Sequence, residues 1–135
     1  MKLLIDANVL LDVLQRREPH HSDSALIWKL CETGQVKGYV SALTIANLVY
    51  IMRKELTPER VEEVLTQLML IFHLAELTES DILCAAKKQW SDFEDAIQST
   101  AAERLRADYI ITRNVRDFRS SRVLALSPGE LLARI

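Results

Sequence analysis

Five acidic residues in three separate stretches of the chain are the first candidates for chemistry. Asp6 ends the apolar run "KLLI", Asp92, Glu94 and Asp95 crowd the stretch "SDFEDAIQ", and Asp117 follows the apolar "DYIIT". Two carboxylates about 4 Å apart repel by roughly 4 kcal/mol at an effective dielectric near 20. A gathering of several therefore needs protons or cations to offset it. Carboxylate oxygens suit Mg²⁺ or Mn²⁺, which keep several waters and bind through a few protein carboxylates plus substrate phosphate. Such an ion polarises a phosphoryl oxygen and lowers the pKa of a bound water. Each acid also has a plain structural reading. "SDFE" fits a Ser-x-x-Glu capping box, with Ser91 as cap and Glu94 reaching back. Alternatively Asp92 caps, with Asp95 meeting the helix dipole in the first turn. Asp6 could cap the helix after it, and Asp117 could be a turn acid. Taken singly, the acids leave both readings open.

The elements around these residues decide whether they can meet. "KLLI" is a short buried strand, and a helix is expected from about Asn8 to Gln15. A second helix begins near Ser22, Asp23 or Ser24, carries Leu26, Ile27 and Leu30 on one face, and stops at Gly34. "GYVSAL" reads as a strand, and "LTIANLVYIMRKEL" as a helix that is apolar nearly all round. Thr57 and Pro58 open an amphipathic helix as N-cap and first residue. Its face is Val61, Val64, Leu65, Leu68 and Met69. A weak strand signal spans Phe72 to Leu77. Helices follow from Thr78 or Ser80 and from Phe93 to Arg106, then strands at "DYIITRN" and "RVLAL", and a closing helix in "SPGELLARI". Strands alternating with helices imply a parallel sheet covered on both faces. Ligands of such α/β sheets sit beyond the carboxyl ends of the strands, where all three acidic stretches fall.

Composition narrows the class. The 135 residues, 49% hydrophobic and with 3 Gly and 3 Pro, suit a single domain over residues 1–135 with few turns. No run is long and apolar enough for a membrane span. "MKLLIDANVLLD" is broken by Asp6 and Asp12 and lacks a cleavage site, so no signal peptide is expected and a cytoplasmic location is. A formal charge of −2 argues against gripping nucleic acid by charge alone, but a bound metal would alter that balance. Cys31 and Cys84 lack metal-ligand spacing and read as reduced core thiols. His20, His21 and His73 have no zinc-like spacing. Trp28 and Trp90 lie in helical apolar settings and read as packing residues. Arg113, Arg116, Arg119 and Arg122 cluster near the expected crevice, as phosphate contacts or as a solvated loop.

"LLIDANVLLDVL", "DFEDAIQ" and "DYIITRNVRDF", in this order over almost the whole chain, resemble a PIN domain, the fold of the VapC-type ribonuclease toxins. The pairing of "DFEDAIQ" with "IITRNVRDF" is the specific part. The resemblance implies a three-layer α/β/α sandwich with a central parallel sheet, and an Mg²⁺- or Mn²⁺-dependent endoribonuclease acting on single-stranded RNA. Position by position, it implies that Asp6, Asp95 and Asp117 are the catalytic, metal-holding acids, with Asp92 beside them. Asn8 and Thr112 match supporting polar positions. Asn47 stands where many PIN nucleases carry an acid, and Asn114 occupies another acid position; each offers a carbonyl oxygen without charge. Arg113 would steady a phosphate. Many relatives are toxins held by a small antitoxin, which is the partner implied here. The helix from Leu43 to Met52 exceeds the apolarity one buried face needs and is a homodimer or partner surface, or else core.

Two other classes compete with the nuclease. The two Asn positions fit a non-catalytic PIN-like module that binds RNA or protein partners without cutting. Asp6 after a strand could also be an aspartyl-phosphate nucleophile, but no Asp-x-Asp pair or suitable Lys accompanies it.

Overall fold

The computed structural model describes residues 1–135. Its centre is a parallel five-stranded sheet in the order β3-β2-β1-β4-β5, formed by β1 (Lys2–Ile5), β2 (Lys37–Ser41), β3 (His73–Ala75), β4 (Tyr109–Ile111) and β5 (Ala125–Leu126). β1 is the middle strand, with Leu4 opposite Tyr39 of β2 and Ile110 of β4. The chain leaves β1 toward β2 on one side, and later enters β4 on the other. That makes the gap between β1 and β4 the topological switch point of the sheet.

The helices are α1 (Ala7–Leu14), α2 (His21–Glu32), α3 (Ala42–Met52), α4 (Pro58–Ile71), α5 (Glu79–Lys88), α6 (Phe93–Leu105) and α7 (Pro128–Leu132), with a 3₁₀ turn at Val115–Phe118. Strand residues alternate between the two faces of the sheet. Leu3 and Ile5 pack with Val9, Leu10, Ile27, Leu48, Val61, Leu68 and Leu131, so α1, α2, α3, α4 and α7 cover one face. Leu4 and Ile110 pack instead with Ala102, Phe118 and Ala125 on the other face, under α6. Ala96 and Ile97 of α6 then meet Ala85 of α5. This is the expected three-layer α/β/α sandwich.

Gly38 shows how tightly the first layer is packed. A Cβ there would meet Cys31 Sγ at 2.5 Å and Phe72 Cδ1 at 3.0 Å, so β2 can pass beneath α2 only with glycine at that point. Phe72 also receives the edge of Trp28 at 5.1 Å between ring centroids.

Several expectations are corrected in detail. α1 starts at Ala7, with Asp6 itself as N-cap. α2 starts at His21 without a side-chain cap, because Ser24 is buried and donates to Asp12 Oδ2 at 3.0 Å. Thr57 and Thr78 cap α4 and α5 as expected, and Asp81 completes a capping box with Thr78. Met69 is exposed on the edge of α4's apolar face. Cys31 is buried, but Cys84 is exposed rather than core, since α5 turns only Asp81 and Ala85 fully inward. α3 buries Thr44, Leu48 and Met52 and leaves Tyr50 70% exposed. Its Leu48 and Met52 are core, and Ile45, Val49 and Ile51 pack partly against it. No helix is long and apolar enough to cross a membrane.

Candidate active site

Asp6 lies at the carboxyl end of the central strand and caps α1 at once. Its backbone N–H continues the ladder by donating to Ile111 O at 2.9 Å, which sets its side chain beside the end of β4. Four donors converge on the carboxylate. Oδ1 accepts from Ala7 N at 2.7 Å and from Gln98 Nε2 at 2.9 Å. Oδ2 accepts from Thr112 Oγ1 at 2.8 Å and from Asn8 Nδ2 at 3.3 Å. Asn8 also donates to Thr112 Oγ1 at 3.3 Å, and its Oδ1 accepts from Arg113 N at 3.1 Å. Thr112 Oγ1 in turn accepts from Asn114 N at 3.0 Å. Asn8 and Thr112 therefore hold Asp6 in place and lock the turn after β4 to the turn after β1.

α6 brings in the second group of acids. Asp92 is its N-cap and accepts from Asp95 N at 3.1 Å, so Asp92 rather than Ser91 takes the capping role. Asp95 points from the first turn, and Gln98 follows on the same face one turn later. Asp117 is carried by the 3₁₀ turn, anchored by its N–H on Asn114 O at 3.0 Å. Glu94 lies outward, where Asn47 Nδ2 of α3 donates to its Oε2 at 3.2 Å. The Asn114 side chain makes no hydrogen bond, only its backbone does.

These acids act on one another. Burial, and then the charges of Asp92, Asp6, Asp117 and Glu94, push the Asp95 carboxyl up to about 7. None of the five makes an ion pair; the chain's salt bridges join Arg60 to Glu63, Lys88 to Glu103, Arg104 to Asp81 and Arg113 to Asp12. Beside them opens a cavity of about 450 Å³, lined by Trp90, Ser91, Asp92, Asp95, Arg116, Asp117, Arg119 and Ser120. Trp90 packs edge-on against Phe118 at 6.3 Å and forms its apolar wall.

No three acidic, histidine or cysteine side chains converge closely enough to cage an ion unaided. The donor chemistry nonetheless fits a hard divalent cation. It is all oxygen and bears uncompensated negative charge, and Mg²⁺ commonly needs only one or two protein carboxylates because it retains its waters.

Arg113 is placed differently from its expected phosphate contact. Its Nε donates to Asp12 Oδ2 at 2.9 Å, and its outer edge faces a smaller pocket with His20, Ser127 and Gly129. Arg116 and Arg119 are the arginines on the acidic cavity. Two residues were given no role at the site by the sequence reading. Asp12 is fully buried within α1; its signal was a charge on an otherwise apolar helix. Gln98 is 5% exposed; its signal was the three-residue spacing from Asp95.

Solved structures share this fold. A chain of FitAcB from Neisseria gonorrhoeae is similar at a TM-score of 0.72 and 17% identity, covering 94% of this chain and 98% of that one. A chain of VapBC-1 from nontypeable Haemophilus influenzae gives 0.72 and 18%, over 96% and 99%. A chain of a toxin–antitoxin complex from Klebsiella pneumoniae gives 0.69 and 19%, over 93% and 97%. At these identities the likeness shows the fold. A search of curated proteins found no significant match. The family model described as PIN domain matches residues 2–116, which takes in Asp6, Asp95, Gln98 and the turn after β4. The chain belongs to the PIN domain family.

Proposed function

We propose that this protein is a metal-dependent endoribonuclease that hydrolyses phosphodiester bonds of single-stranded RNA. The observation that carries the reading is Asp95, half-buried among four other carboxylates with no cation of the protein paired to any of them. Asp6, Asp95 and Asp117 would hold Mg²⁺ or Mn²⁺ in part through the ion's own waters, with Asp92 at their side. When bound, the ion supplies Lewis acidity toward a phosphoryl oxygen and acidifies water. The chain's own residues do the rest. Asn8 and Thr112 keep the Asp6 carboxylate aimed, and Asp95 would offer its carboxylate to the ion from the first turn of α6. Arg116 and Arg119, rather than Arg113, meet the phosphates of the strand in the cavity.

The test is cleavage of single-stranded RNA by the purified chain with Mn²⁺ or Mg²⁺, against the chelated protein and Asp95→Asn. Cleavage that needs both metal and Asp95 is expected. Persistent cleavage by Asp95→Asn would sink the assignment.

A second reading, a binding module that does not cut, draws on Asn47 and Asn114. Asn47 supplies a neutral amide to Glu94 where an acid would add charge. RNA retained uncut by the native chain, with cutting gained on Asn47→Glu, would establish it.

The similar chain from Klebsiella pneumoniae belongs to a toxin–antitoxin complex, and on that likeness we assign this chain a small antitoxin partner; a cytoplasmic setting and a homodimer are proposed beside it. The groove lined by Leu14, Trp28, Val64, Leu68, Leu70 and Ile71 offers such a partner an apolar surface, with Leu70 83% exposed. Size-exclusion chromatography with light scattering tests the dimer; a monomer at micromolar concentration would refute it.

A further inference from the structure

Gln98 holds a buried oxygen with nothing to accept from. Its Nε2 donates to Asp6 Oδ1 at 2.9 Å, and this fixes the orientation of the amide. Turned over, it would press its carbonyl oxygen against a carboxylate oxygen, acceptor to acceptor. In the orientation that Asp6 enforces, Gln98 Oε1 is buried and has no hydrogen-bond partner, although the side chain's residue is only 5% exposed. Buried polar atoms in native proteins are nearly all satisfied, so an acceptor left over in contact with a candidate site points to a donor that arrives with the ligand.

The surroundings say what kind of donor. Gln98 sits one turn after Asp95 on α6 and touches Asp6, so it spans the two acids nearest the switch point. A carboxylate has about four lone-pair sites, and Asp6 already receives four donors. Only Asn8's contact, the longest at 3.3 Å and shared with Thr112, is readily given up. A small cation that reaches part of its protein ligands through its own waters suits such a site better than one needing a full cage of carboxylates. We infer that Gln98 is a positioning residue, holding Asp6 through Nε2 and accepting through Oε1 a hydrogen bond from a water of a hydrated divalent cation. This rests on the metal-dependent reading above and adds to it a residue outside the acidic set.

Mn²⁺ binding, followed by the resonance of the free aquo ion, tests it on the native chain, Gln98→Met and Gln98→Glu, with thermal melting in chelator beside each titration. Met keeps the length and removes both polar atoms. Glu keeps an acceptor but sets a second charge against Asp6. The expected result is opposite rankings. Gln98→Met melts at least as high as Gln98→Glu without metal, yet binds Mn²⁺ about tenfold or more weakly than the native chain, the loss typical of partners that orient ligands. Gln98→Glu recovers most of that affinity. Native-like affinity in Gln98→Met, within about twofold, overturns the inference and leaves the metal centre standing. So does affinity that simply follows melting temperature across the variants. No saturable Mn²⁺ binding by the native chain overturns the metal centre itself, and this inference with it.

Discussion

Asp95→Asn should stabilise the metal-free protein at pH 8 and leave it unchanged near pH 4. The Asp95 carboxyl is raised from 3.8 to about 7, first by burial and then by Asp92, Asp6, Asp117 and Glu94. Between those two values the folded chain holds a proton that the unfolded chain has released. Stability therefore falls as pH rises through this window, and the penalty is complete above about pH 7. At about 1.4 kcal/mol per pKa unit, the ceiling is about 4 kcal/mol. Asp95 is only half-buried, so water and salt screen the repulsion and roughly 2 kcal/mol is a fairer figure. Losing a favourable charge at the start of α6 takes back about 0.5 kcal/mol. Asparagine is nearly isosteric, and the cap survives because Asp92 accepts from the backbone of residue 95, not its side chain. The net gain of roughly 1–2 kcal/mol corresponds to about 4–7 °C in a domain this size. Thermal melts in chelator at the two pH values measure it. Millimolar Mn²⁺ should then reverse the order at pH 8, since ion at a hundredfold its dissociation constant adds about 2.7 kcal/mol to the native chain alone. A difference that is the same at both pH values, or a lower midpoint for Asp95→Asn at pH 8 in chelator, would refute the electrostatic account.

Arg113→Met should cost about 3–5 kcal/mol, because it strands the fully buried Asp12 without its ion-pair partner; denaturant unfolding checks this, and a loss under 1 kcal/mol would show that the pair is not what anchors the turn after β4. Burial pushes the Asp81 carboxyl up, but hydrogen bonds from Arg104 and Thr78, with Arg104's charge, hold it below its ordinary value. Asp81→Asn should therefore destabilise the protein at pH 7, with a difference that shrinks as pH falls below the ordinary value of 3.8 and through the native carboxyl's lower one; a pH-independent difference would refute it. Burial raises the Cys31 thiol to about 12 while Cys84 is exposed, so a thiol reagent at neutral pH should label one cysteine in the native fold and two after unfolding.

The fold was legible because its signals are local. Thr57-Pro58 and Thr78 mark helix starts by their own side chains, and the runs around Leu4 and Ile110 are buried on both faces of the sheet. The backbone of the site was legible for the same reason: an acid after a strand, or before a helix, lies at the carboxyl edge of a parallel sheet. What escaped was partner choice across space. Nothing near Arg113 in the sequence says that its Nε reaches Asp12 at 2.9 Å, because the two are 101 residues apart. Ser24, equally, looks like a helix start until Asp12 is seen beneath it. Cys84 looks like core until α5 is known to bury only one narrow edge.

At Asp6 and Asp92 helix capping and the proposed chemistry share one arrangement. Each accepts from a backbone N–H of the helix it begins, so each is held in place without using a basic side chain. Both helices open at the carboxyl end of the sheet, where their positive ends face the acids, and each such end is worth about 0.3–1 kcal/mol to a nearby carboxylate. That contribution favours the capping carboxylates of Asp6 and Asp92 where they stand. It is too little for Asp95, which stands against four neighbours and retains its proton near neutrality. Under the proposed function, the repulsion left at Asp95 is what a bound cation would relieve. At Asp95 the helix dipole returns about 0.5 kcal/mol against a larger repulsion from four carboxylates, so capping alone does not account for the cluster.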